Sequence, residues 1–313
     1  MSNMEALKKS IESIAIKNGA DIVGFASADR FDDPALKKIF PEVKTVIAVA
    51  FRVLRGSFRG IEEGTTFYQY STTGIETIEE TVMPGALLKI CNAIEDAGFL
   101  GIPQRKNQSL RKEQTILNPE MLHAKWYPAG AKELQLDFTK AAVLCGIGEI
   151  GLSGALLTDR FGPFQRIGLV LTDAELTETE QKTPHICDKC GECIKACPGG
   201  AVSENGIDFT RCAVYFRGAN MSTNPYMPGD AYANIKNREA VMDGTAELSF
   251  DEGLEVMENT IFYPPMKHGY VTSICGRACD RACYAHLEEK GLLENKFHLP
   301  LRIRPVWKLP TIK

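Results

Sequence analysis

Eight of the ten cysteines in this 313-residue chain lie between Cys187 and Cys283, while Cys91 and Cys145 stand apart. The densest stretch reads Cys187-Asp-Lys-Cys190-Gly-Glu-Cys193-Ile-Lys-Ala-Cys197-Pro198. This C-x2-C-x2-C-x3-C-P spacing suits [4Fe–4S] ligation: three thiolates wrap one cubane, and the fourth, turned by the proline, serves a second. The first cubane then needs one more thiolate and the second needs three, and Cys212, Cys275, Cys279 and Cys283 supply four. With every iron held by protein, the job of such clusters is to move single electrons rather than to bind substrate. Structural zinc also uses C-x2-C pairs, but two pairs per ion, whereas this run crowds four sulfurs together. The C-x3-C-x2-C pattern of radical chemistry is absent, because Cys275, Cys279 and Cys283 are spaced C-x3-C-x3-C. Cys91, on the apolar face of a predicted helix, and Cys145, before a glycine turn, read as small buried hydrophobes.

That glycine turn, Gly146-Ile-Gly148-Glu-Ile-Gly151, spells G-x-G-x-x-G after an apolar AAVLC, with Asp173 at the end of a later apolar run. It imitates a dinucleotide fingerprint. The preceding DFTKAAVLC is long enough to be a helix, the following LSGALLTDRFG holds two more glycines, and Asp173 comes late for a ribose acid. The plain alternative is a tight turn that brings backbone close to some ligand or element. Candidate proton donors are Tyr68 and Tyr70 in FYQY, Tyr127 in KWYPAG, Asp137, and His268 in YPPMKHGY. His185, two residues before Cys187, is within reach of the first cubane or is a loop histidine.

The elements that would carry these groups begin with a helix over 5–18, where Leu7, Ile11, Ile14 and Ala15 recur at helical spacing and Gly19 follows as a cap. DIVGFA (21–26) and TVIAVAFRV (45–53) read as buried strands with a short helix between them. Helical spacing returns through Leu87, Leu88, Ile90, Cys91 and Ile94, with a break expected at Pro84-Gly85. Residues 102–119 are polar with a proline near each end and read as a surface loop. A strand is expected in RIGLVLTDAEL (166–176), ending near Thr172-Asp173. This alternation predicts an α/β core domain over 1–180, with the boundary in the polar TETEQKTPH (177–185). A loop-rich double-cluster domain over 181–290 and a tail over 291–313 follow. In that tail Trp307 stands between basic residues.

Composition narrows the classes. Apolar residues make up 44% and charged residues 24%, which excludes disordered, collagenous and coiled-coil chains. No stretch of eighteen apolar residues exists, so no membrane span or membrane partner is expected. A net charge of −4 does not suggest a nucleic-acid surface. The start lacks the apolar core and cleavage site of a secretory signal, so a cytoplasmic location is expected, where cysteines serve metal or redox chemistry rather than disulfides.

Taken together, A-x-x-C-G-I-G-E-I-G-L-S-G-A-L-L-T-D-R-F-G (142–162), I-G-L-V-L-T-D-A-E-L, the cysteine run, R-C-A-V-Y (211–215) and I-C-G-R-A-C-D-R-A-C (274–283) resemble the epoxyqueuosine reductases. More distantly they are similar to the iron–sulfur part of reductive dehalogenases. The resemblance implies a nitroreductase-like α/β core that holds a corrinoid (cobalamin or a relative), with a C-terminal ferredoxin-like domain delivering electrons to cobalt. It also implies that Cys187, Cys190, Cys193 and Cys283 share one cluster and that Cys197, Cys212, Cys275 and Cys279 share the other. Gly146, Gly148 and Gly151 would lie against the corrinoid. An external donor such as a flavodoxin or ferredoxin and a small-molecule acceptor would complete the system.

The chain also departs from the family. The D-x-x-P-x-x-E stretch that carries the family's proton donor is replaced by AKELQLDFTKAAVL, in which Glu133 and Asp137 do not match it. The second cysteine group ends in Cys283-Tyr284 rather than Cys-Pro, and no C-terminal repeat domain for transfer RNA is seen. A shorter paralogue with another acceptor is therefore expected. The leading expectation is a corrinoid-dependent iron–sulfur oxidoreductase. The alternatives are an electron-transfer protein that carries only the clusters and reduces a separate corrinoid or flavin partner, and a nicotinamide-dependent enzyme.

Overall fold

Along β2 (Thr45–Arg52) the side chains alternate between two cores. Ile47, Val49 and Phe51 enter one, and Val46, Ala48 and Ala50 the other, so this strand is buried on both faces. It lies inside a four-stranded sheet with β1 (Ile22–Ser27), β3 (Gly101–Arg105) and β6 (Gln165–Thr172), in the order β1-β2-β6-β3. The computed structural model describes residues 3–105, 136–260 and 273–303.

Helices cover both faces. Leu7, Ile11 and Ala15 of the Asn3–Lys17 helix and Leu87, Ile90 and Ile94 of the Met83–Asp96 helix fill one side. The Pro34–Ile39 and Phe138–Leu144 helices fill the other through Leu36, Phe138, Ala141 and Ala142. Small residues let the second layer come close: a Cβ on Gly24 would collide with the carbonyl oxygen of Cys145. Cys91 and Cys145 are buried in these two cores, and burial pushes each thiol up to about 12.

The alternating helices and strands form a mixed helix-and-sheet architecture, and the three strand pairings of the described sheet are all antiparallel. Two sequence expectations are corrected. No break occurs at Pro84-Gly85. The backbone stays helical through Val82 from the π-helical turns at Thr72–Glu76 and Ile78–Val82, and Pro84 sits in the first turn of the α-helix, where its missing N–H is not needed. Residues 101–105, partly read as loop, form a strand that among the described residues lies at the sheet edge, paired with β6, a place that tolerates Pro103.

Residues 177–185 belong to no regular element. Beyond them, Val214, Tyr215, Tyr232, Val241 and Val256 build a separate small core. Tyr284 and Leu287, from the Ala278–Glu289 helix, instead join the core of the main sheet. Among the described residues no helix is long and apolar enough to cross a membrane.

Candidate functional site

Cys187, Cys190, Cys193 and Cys283 line one cavity, together with Gly151, Ser153 and His286. Left-handed backbone at Lys189 (φ 59°) and Gly191 (φ 77°) curls the chain between the first three thiols. Cys193 lies on the short Glu192–Ala196 helix, which packs against the Ala278–Glu289 helix that carries Cys283. Burial pushes the Cys283 thiol up, and Asp280, Cys193, Cys187 and Cys190 push it further. Burial, then Cys190 and Cys187, act on Cys193 in the same direction.

The other four thiols gather separately. Cys212 lies on the Phe209–Phe216 helix, whose first turn is capped by Asp208 accepting from Arg211 N at 3.0 Å. Burial pushes Cys212 up to about 12, Arg277 pulls it back, and Cys275 and Cys197 are among the groups pushing it up. Burial also raises Cys279, with Asp280, Cys275 and Cys212 adding to the rise and Arg277 opposing it. Ala201 N donates to Cys197 Sγ at 3.2 Å, and the Ser273 hydroxyl lies 3.5 Å from Cys275 Sγ. Left-handed backbone at Gly276 (φ 59°) and Arg277 (φ 51°) forms the turn between Cys275 and Cys279. Arg277 Nε pairs with Asp280 Oδ2 at 2.8 Å, and Arg281 Nε donates to Gly276 O at 2.7 Å.

Each group therefore offers four sulfurs, and neighbouring thiols add to the rise at Cys193 and Cys283 in the first and at Cys212 and Cys279 in the second. Such thiols deprotonate when a soft cation takes the place of the protons, and a four-sulfur donor set fits an iron–sulfur cubane. All ten cysteines are free of disulfides.

The glycine turn meets protein rather than open space. A Cβ on Gly146 (φ 76°) would strike the Glu180 carbonyl oxygen, one on Gly148 the Leu157 carbonyl oxygen, and one on Gly151 the Leu157 side chain. Gly148→Ala is accordingly expected to destabilise the cofactor-free protein by about 1–3 kcal/mol or more, as overpacked sites do. Thermal melts of metal-free protein check this, and an unchanged melting temperature would mean that the glycine serves a ligand instead. The turn is preceded by a helix and followed by β4 (Glu149–Ile150) paired with β5 (Leu156–Leu157), so the strand and helix of a dinucleotide site are both missing. Asp173 accepts from Leu100 N at 2.8 Å at the start of β3.

Sequence reading weighed the glycines and passed over Glu149 between them. Its buried carboxylate accepts three consecutive backbone N–H groups, from His185 (2.6 Å), Ile186 (3.1 Å) and Cys187 (2.7 Å). The available signal was an acidic residue inside an otherwise apolar turn.

Of the proton-donor candidates, Tyr70 is buried against Phe58, with ring centroids 4.7 Å apart. Burial pushes its phenol up, while Arg277 and Arg166 pull it down, and Asp280 and Cys275 are close enough to add to the rise. Asp137 is exposed and caps the Phe138–Leu144 helix by accepting from Lys140 N at 3.0 Å. Tyr127 and His268, with Glu133 and Trp307, lie outside the described residues, as does the side chain of Tyr68. The His185 ring turns to Thr183 O (2.9 Å) and Asp159 Oδ1 (2.8 Å).

A mixed helix-and-sheet body bearing two four-thiol groups is the class that fold and site define. The relatives it matches are epoxyqueuosine reductases and reductive dehalogenases. It is 42% identical over 65 residues to tetrachloroethene reductive dehalogenase of Desulfitobacterium hafniense, covering 20% of this chain and 12% of that protein. It is 30% identical over 109 residues to epoxyqueuosine reductase of Prochlorococcus marinus, covering 34% of each. The matches thus span about a third or less of the curated relatives. Among solved structures, a catabolic reductive dehalogenase superposes with a TM-score of 0.51 at 15% identity, over 83% of this chain and 38% of that one. An epoxyqueuosine reductase superposes with a TM-score of 0.49 at 13% identity, over 91% and 83%. No family model matches the chain.

Proposed function

We propose that the chain is an iron–sulfur oxidoreductase that passes single electrons through two [4Fe–4S] clusters toward a corrinoid, for reduction of a small-molecule acceptor. The observation that carries this is the gathering of eight thiols into two groups of four. Cys187, Cys190, Cys193 and Cys283 would hold one cluster, and Cys197, Cys212, Cys275 and Cys279 the other. When bound, each cubane supplies a place to store one electron without moving protons. The chain's own residues would hold the two clusters and set the charges around both. A low-potential one-electron donor of the flavodoxin or ferredoxin kind would load them.

The corrinoid rests on the relatives rather than on the described residues. The faces of Gly146 and Gly148 are filled by protein, and Gly151 faces the Leu157 side chain and the thiol cavity. A cavity of about 430 Å³ is lined by Arg52, Arg55, Arg160, Phe164, Tyr284 and Phe297 among others. That is the size for a drug-sized ligand, not for a corrin with its nucleotide tail. Among the described residues, these do not fit the group. The same observation favours the second reading, a carrier that reduces a corrinoid or flavin held by a partner.

Incubation with hydroxocobalamin under reducing conditions, followed by desalting, separates the two. About one cobalt per chain retained supports the first reading, and iron-replete protein without cobalt supports the second. Tyr70 is the candidate to hold the proton for a reductive cleavage, being the one of the five whose side chain lies near the second thiol group among the described residues. Tyr70→Phe is expected to keep full iron and a melting temperature within a few degrees of the parent, while losing substrate reduction and keeping reduction by dithionite. Undiminished turnover would remove Tyr70 from the reaction.

A further inference from the structure

Where β2 ends beside the start of β6, the sheet borders the cavity of about 430 Å³, whose other wall comes from the Ala278–Glu289 helix and the segment after it. Its charged lining is of one sign among the described residues: Arg52, Arg55 and Arg160, with no carboxylate. Two of these cations are balanced from outside the lining. Asp21 Oδ1 lies 3.4 Å from Arg52 Nε, and Glu62 accepts from both Nη atoms of Arg55. Arg160 has no carboxylate partner among the described residues. Its Nη1 donates to the Asp21 backbone carbonyl at 2.8 Å, and its guanidinium lies over the Phe161 ring, 4.8 Å from the centroid. Arg52 lies over the same ring at 5.9 Å, so one phenylalanine holds two exposed guanidiniums at the cavity mouth.

The third arginine poses a different demand. The Arg55 side chain is only 9% exposed, and its Nε–H is buried without a hydrogen-bond acceptor. Buried donors in native folds are nearly always paired, so this one calls for an acceptor in the cavity it lines. Because Glu62 already balances the Arg55 charge, the matching acceptor is neutral, such as a ring carbonyl or ring nitrogen.

The walls suit a flat ring. Phe164 and Tyr284, both in the lining, stack with centroids 4.4 Å apart and planes 5° from parallel. At the rim Phe297 is 45% and Leu54 50% exposed, apolar surface that a bound ring would cover. Two guanidinium forks at one mouth match a phosphate, with its three oxygens and more than a single negative charge, better than a carboxylate.

We propose that this cavity binds a small planar heteroaromatic phosphate. The ring lies against Phe164, Tyr284 and Phe297, a neutral ring acceptor takes the Arg55 Nε–H, and the phosphate meets Arg160 and Arg52. Arg160 is the selective residue, since its charge is the one that no neighbouring carboxylate balances. The site does not depend on what the thiol groups hold. Flavin mononucleotide and a purine nucleoside monophosphate share this chemistry.

The experiment is isothermal titration of the full chain, purified without oxygen, with flavin mononucleotide, adenosine monophosphate, riboflavin, adenosine and inorganic phosphate. The parent should bind a phosphorylated ring compound at a single site, more tightly than the same ring without phosphate and more tightly than phosphate alone. Arg160→Gln should weaken that binding by about tenfold or more, the scale of one charge-assisted hydrogen bond, and leave the unphosphorylated ring unaffected. Arg160→Lys, which keeps the charge, should recover part of the loss. Phe297→Ala should weaken the ring with or without its phosphate. Both positions face solvent, so each variant should melt close to the parent. Binding of flavin mononucleotide alone supports the proposal and makes the ligand a flavin, and binding of adenosine monophosphate alone supports it and makes the ligand a nucleotide. Three results would overturn it: neither compound binds, inorganic phosphate binds as tightly as the phosphorylated ring, or normally folded Arg160→Gln binds like the parent.

Discussion

Cys193→Ala is expected to hold about four irons per chain where the parent holds about eight, on the count of two cubanes. Cys193 is buried between the Glu192–Ala196 helix and the group completed by Cys283, so no neighbouring water-exposed ligand replaces it readily. Because binding of a structural metal is also folding free energy, the cysteine-rich half should unfold earlier in the variant. Cys91→Ala is the control. That thiol is buried in the main core and belongs to neither group, and its removal should cost about 1 kcal/mol and leave iron unchanged. Iron analysis with thermal melts of both proteins checks this. Full iron in Cys193→Ala would break the assignment of the first group.

The second large effect concerns Glu62, which is fully buried and gripped by Arg55 through two bonds of 2.6 and 2.9 Å. The same carboxylate accepts from Arg302 N at 2.8 Å, and so ties the segment after the last helix to the body. Arg55→Met would strip the buried anion of its bidentate cation and leave only the Arg59 guanidinium at 3.9 Å, at a cost of about 3 kcal/mol. With about 2–4 °C per kcal/mol for a chain of this order of size, the melting temperature should fall on the order of 10 °C. Replacing both partners with methionine should recover most of the loss, since an apolar pair of similar volume removes the stranded charge. A double variant as unstable as the single one would show that the pair contributes more than relief of desolvation.

How much of this could be read from the residues depended on whether the deciding interaction was local. The cysteine run is legible because cubane geometry is imposed over eleven consecutive positions, Cys187 to Cys197. Spacing alone did not single out Cys283, which only the family resemblance assigned to it, because that residue arrives on a separate helix. β1, β2 and β6 were visible as apolar runs, but their antiparallel order is set by connections that cross the sheet. β3 was hidden because an edge strand needs only one bonded side and tolerates Pro103, Gln104 and Arg105. The glycines signalled close approach correctly and left open what approaches. Here it is Glu180 and Leu157. FYQY could not say that Tyr70 turns inward, which is why Tyr70 was one candidate among several.

The central claim, two four-thiol groups each built for a cubane, is tested most directly by measuring iron, acid-labile sulfide and zinc per chain on protein purified without oxygen. About eight irons and eight sulfides, with negligible zinc, is the result the two-cubane account predicts. About two zinc ions per chain with little iron and no sulfide would contradict it.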